Sequence, residues 1–175
     1  MIQILSFMWL LAFLFGFVGF LRGWNRELVG TAGILVALFA LFQFDAILRS
    51  YFYSPLSRDQ VFLIQAGIFL AIVFVVYQAP DLGTNRSRTD MQAGFLGAVV
   101  GTINGYLVGG TLWYFMDINE YPLPQFIVAP TLNSPTAQNI GMMPLVLLGG
   151  GASGTGDTLA IAALLVFLIV IVRTQ

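Results

Sequence analysis

The sequence predicts an all-α integral membrane protein with about five transmembrane helices. Three observations carry that expectation. The apolar residues lie in long runs rather than in short amphipathic stretches. Only 9% of the 175 residues are charged against 58% hydrophobic, and the mean hydropathy is +0.89; a soluble domain carries about a quarter charged residues. Proline and the arginines fall mainly between the runs, where helices would end.

The first run, MIQILSFMWLLAFLFGFVGFL, places a helix over 2–21. It lacks the basic start and small-residue cleavage site of a signal peptide, so it reads as a retained span. The second span covers 27–48 and opens on Glu27. The third covers 61–79, with Pro80 placed to stop it. The fourth covers 92–116 and ends in Trp113, Tyr114 and Phe115, which suit an interfacial aromatic belt. Four of the seven prolines then fall between Asp117 and Asn139. Residues 118–157 therefore read as a long Pro/Gly-rich outer connection, with one short interfacial or re-entrant segment around IGMMPLVLLGGG. The last apolar run, 158–172, is short for a span. The chain divides into a four-helix membrane domain (1–117), the connection, and a C-terminal membrane helix (158–175).

The arginines set an orientation. With the first and third connections inside, Arg22, Arg26, Arg86, Arg88 and Arg173 lie on the cytoplasmic side and Arg49 and Arg58 outside. The positive-inside rule then gives N-terminus out and C-terminus in. Arg22, Trp24 and Arg26, with Arg86 and Arg88, read as topology anchors or as a site for anionic lipid head groups. Arg22 and Arg26 would share a face if their turn is helical.

Gly97, Gly101, Gly105 and Gly109 stand four apart in the fourth span, and Gly94 extends the row. Residues four apart share a helix face. Small residues there let another helix approach closely, which is where association gains energy in lipid. The partner is the first or second span (Gly16 and Gly19, or Gly30 and Gly33), another subunit, or the wall of a pore. Gln43, Gln65 and Asn104 interrupt or border apolar runs and suit interhelical hydrogen bonds. Asp45 and Arg49, four apart near the end of the second span, suit an interface salt bridge.

The absences narrow the chemistry. The chain has no cysteine, histidine or lysine. Thiolate chemistry, histidine ligation of metal or haem, and lysine-based phosphate or Schiff-base sites are excluded. No catalytic, cofactor or metal site is expected. The one enzyme-like motif, GTGD at 154–157, matches the Gly-x-Gly-Asp of intramembrane aspartyl proteases, with Asp45 the nearest second carboxylate; a Gly-rich helix start gives the same pattern.

GFLRGWNRELVG (19–30) and RTDMQAGFLGAVVGTINGYLVGGTLWYFMD (88–117) resemble the colicin V production protein family. The resemblance covers about 1–117 and departs from the family at Asn104, where an arginine is common, and in the tail. It implies a small bacterial inner-membrane protein linked to export or envelope function, with no assigned reaction. Composition and glycine face point first to a non-catalytic scaffold or accessory subunit of a larger membrane complex, an electron-transfer complex being one plausible host. Its partners would be membrane lipids and other integral membrane subunits, not nucleic acid. An export component is the alternative.

Overall fold

A computed structural model of the chain describes residues 3–78, 91–127, 129–151 and 154–174. Arg86 and Arg88 lie outside the described residues, as do Pro80 and the side chain of Arg173. The architecture is all-helical. Helices α1 (Ile4–Arg22), α2 (Trp24–Tyr51), α3 (Arg58–Tyr77) and α4 (Met91–Ile118) are each long and apolar enough to cross a membrane. Short helices α5 (Pro135–Gln138) and α6 (Pro144–Gly149) follow, with a 3-10 turn at Ile140–Met142 between them, and α7 (Asp157–Thr174) closes the described chain.

The helix starts and breaks have local causes. Gly23 separates α1 from α2 with φ +82°, a conformation that favours glycine, and its N–H donates to Gly19 O at 2.8 Å. The chain therefore turns between Arg22 and Trp24, and α2 starts three residues earlier than expected. Arg22 and Arg26 consequently do not share one helical face. Ser57 opens α3, its N–H donating to Gln60 Oε1 at 3.1 Å. Gly150, at φ +81°, ends α6 in the left-handed cap expected of a glycine.

The bundle is held by α4. Helix α1 packs along it most closely, α2 also packs on it, and α3 and α7 pack on α2. Ile4, Met8, Ala12, Gly16 and Gly19 line the buried face of α1, while Phe13, Phe17 and Leu21 point outward. In α7, Leu159 and Ala163 are buried, and Leu164, Leu165 and Leu168 are outward. An apolar exterior of this kind is compatible with a membrane-spanning chain.

One expectation changes. Trp113, Tyr114 and Phe115 are not a lipid-facing belt: all three are buried, Trp113 completely. The connection folds back over the end of α4, and Trp113 Nε1 donates to Tyr121 Oη at 3.1 Å. The segment after the prolines is a packed element, with Met143 and Leu145 buried and α6 set against α4 and α7.

Candidate functional site: two buried polar clusters

The glycine row of α4 faces α1 of the same chain. A Cβ on Gly97 would stand 2.2 Å from Gly19 O, one on Gly101 2.3 Å from Phe15 O, and one on Gly105 2.4 Å from Leu11 O. At Gly109 the nearest atom is Met8 Cα at 2.9 Å, and at Gly94 it is on the Phe20 ring at 3.2 Å. Distances below 3 Å to backbone leave no room for a methyl group. Backbone thus meets backbone along the seam, which maximises the dispersion contact on which helix association in lipid relies.

The close seam brings polar groups together near the α1–α2 turn. Glu27, in the first turn of α2, has no exposed surface. Arg22 Nη1 donates to Glu27 Oε1 at 2.8 Å, and Tyr77 Oη donates to Glu27 Oε2 at 2.8 Å. Asn104 Nδ2 reaches the same Oε2 at 2.9 Å and the Glu27 carbonyl at 3.0 Å. Thr31 Oγ1 lies 2.7 Å from Asn104 Oδ1 and completes that amide. Arg22 also donates through Nη2 to Tyr77 O at 3.0 Å and stacks over the Tyr77 ring at 4.4 Å. One carboxylate thereby links the end of α1, the start of α2, the end of α3 and the middle of α4. Burying a charge is tolerated when it is paired and its lone pairs are used, and both conditions hold for Glu27.

A second cluster sits at the opposite end of α2. Arg49 Nε donates to Asp45 Oδ2 at 2.8 Å, and Gln65 Nε2 donates to Asp45 Oδ1 at 2.8 Å. Asn119 Nδ2, at the end of α4, donates to Gln65 Oε1 at 2.8 Å. Gln65 and Asn119 are buried. Nearby, Arg58 pairs with Glu120, joining the start of α3 to the connection. Gln43 is exposed and donates to Thr155 O at 3.0 Å, tying the glycine-rich loop to α2.

The expected site residues are thus distributed as follows. Asn104 lies in the first cluster, and Gln65, Asp45 and Arg49 lie in the second. Arg22 is only 18% exposed and turned onto Glu27 rather than out to head groups. Trp24 is half-buried and Arg26 exposed. Asp157 is exposed and accepts from Thr155 Oγ1 at 2.7 Å, while both oxygens of Asp45 are held by α2 and α3 side chains. Among the described residues no group of three or more carboxylates could hold a metal ion. Sequence reasoning missed Glu27 as a buried centre and missed Tyr77, Thr31 and Asn119. Of these, only Asn119 carries a signal, a polar residue one turn beyond an apolar span. No family profile, curated protein or solved structure matches the chain.

Proposed function

We propose that the chain is a non-catalytic scaffold or accessory subunit of a larger membrane assembly, in a bacterial inner membrane with its N-terminus out and its C-terminus in. The observation that carries this reading is the use of the Glu27 cluster. Its charged and amide groups are spent on joining four helices of the same chain, and the glycine face is filled from within by α1. Partner subunits would therefore meet the outward apolar faces of α1, α3 and α7, not the glycine row. On this reading α7 completes a fifth span. An electron-transfer complex remains a plausible host.

One observation favours the export reading as second. The residues that carry the resemblance to the colicin V production family converge: Glu27 of the first motif meets Asn104 of the second, and Gly19 of the first stands against Gly97 and Gly101 of the second. Asn104 gives Glu27 a neutral donor where an arginine is common in that family.

The test is purification in a gentle detergent, followed by native mass measurement and identification of co-purifying chains. A stoichiometric set of larger membrane proteins that survives washing supports the subunit reading. A monomer or homo-oligomer from the native membrane overturns it and moves the weight to the export component.

A further inference from the structure

A cleft of about 620 Å³ opens between the C-terminal ends of α2 and α4 and the glycine-rich loop before α7. That volume falls within the range of small-molecule sites, about 300–1,000 Å³. Its lining is divided: Leu41, Phe42 and Leu145 are apolar, and Asp45 and Arg49 are charged. We propose that this cleft holds one phospholipid, with its phosphodiester on the Arg49 guanidinium and an acyl chain against Leu41 and Phe42.

The hydrogen-bond accounting around Asp45 and Arg49 leaves donors rather than acceptors. Both oxygens of Asp45 are engaged, by Arg49 Nε and Gln65 Nε2. The Gln43 amide donates to the loop at Thr155 O. Arg49 Nη2 and the Tyr53 hydroxyl, by contrast, are closed off from solvent without a partner among the described residues. An unmet buried donor is unfavourable, and more so when it is charged. The Arg49 side chain lines the cleft and is 36% exposed as a whole, so a phosphodiester there can reach its guanidinium while the Nε–Asp45 bond is kept. Tyr53 stands within the field of both Asp45 and Arg49. Burial first, and then the Asp45 charge, push its pKa up, so it stays a protonated donor.

A guanidinium edge matches two phosphate oxygens in a planar fork. Asp45 and Arg49 occupy the last two turns of a 28-residue helix, the level at which lipid phosphates stand relative to a span. Free phosphate would meet the Arg49 guanidinium and leave the half-buried Leu41 and Phe42 walls uncovered; a phospholipid meets both at once. Because Asp45 and Arg49 sum to zero charge, the site reads the phosphodiester and not the net charge of the head group.

Native mass spectrometry of the full chain in a maltoside detergent tests this, with phosphatidylcholine, phosphatidylglycerol or inorganic phosphate added separately. The wild type is expected to retain one molecule of either phospholipid to a similar degree. Arg49→Gln should weaken retention about tenfold, the loss of one charged hydrogen-bond donor. Ala46→Trp should weaken it equally: Ala46 lines the cleft and is exposed, so the ring fills the cleft while Arg49 stays in place. Asp45→Asn leaves the guanidinium charge unbalanced and should favour phosphatidylglycerol over phosphatidylcholine by about fivefold, a gain that misfolding cannot produce. Equal retention by wild type, Arg49→Gln and Ala46→Trp, or no lipid held by the wild type, overturns the proposal. Inorganic phosphate displacing the lipid overturns the acyl-chain half of it.

Discussion

Glu27 has no exposed surface, and its basic partner belongs to a residue five positions away across a glycine break. Removing one member of such a pair leaves the other charge unbalanced, which costs more than removing both. Glu27→Gln should therefore destabilise the bundle by about 2 kcal/mol, below the 3–5 kcal/mol of a wholly buried pair because Arg22 keeps some solvent. Adding Arg22→Gln should recover part of that loss, a coupling readable from unfolding midpoints in mixed detergent micelles. If the double variant loses the sum of the single losses, the two residues do not act as a pair. Asn104→Ala should cost about 1–3 kcal/mol, because it strips a donor from a buried carboxylate. The importance of Asn104 is legible in the sequence, since an amide inside an apolar run needs a partner. That of Glu27 is not. A carboxylate in the first turn of a helix reads as a solvated complement to the macrodipole, and its burial depends on how closely α1 approaches α4. Tyr77 is masked similarly, because an aromatic at a span end normally anchors at the interface.

The seam between α1 and α4 is the element on which that burial depends. Gly101 has Phe15 O and Gly19 Cα in the space a side chain would take, whereas nothing stands within 4 Å of a Cβ added to Gly67 in α3. Gly97→Ala and Gly101→Ala should thus destabilise by about 1–3 kcal/mol through overpacking, while Gly67→Ala and the outward Val99→Leu should be near neutral. The same unfolding titration reads all four, and equal behaviour would refute the backbone seam. The glycines of α4 announce a close contact in the sequence, but their spacing cannot name the partner. Helix α1 supplies it: Gly19 stands against Gly97 and Gly101, and Gly16 against Ala98 and Thr102. The long helices themselves are legible because outward-facing and buried residues are both apolar, so each helix appears as one run. Their ends are less so: α2 extends to Trp24 because a helix follows Gly23 directly. The aromatic end of α4 is misread for a related reason. Hydropathy reports that Trp113 avoids water, and a folded-back connection satisfies it as well as a membrane interface does.

Across the whole molecule, the two polar clusters lie at opposite ends of α2, and each uses an arginine differently. Arg49 and Arg58, on the end carrying the long connection, are each held by a carboxylate, Asp45 and Glu120. At the other end Arg22 is held by Glu27, and α3 ends there at Tyr77; Arg86 and Arg88 follow in the sequence. Acidic residues contribute little to membrane orientation, so the count of arginines decides it, and five against two favours the α1–α2 turn inside. The absence of cysteine makes this directly measurable, since any introduced thiol is unique. Ser54→Cys and Asn133→Cys lie at exposed positions on the connection side and should react with a membrane-impermeant maleimide in intact cells. Ser87→Cys, between Arg86 and Arg88, should react only after the membrane is opened. The reverse pattern would invert the orientation and place the Arg49 cleft among the lipids of the inner leaflet. Labelling of all three in intact cells would show that the chain does not hold one orientation, and a fixed outer face for partner subunits would then be lost.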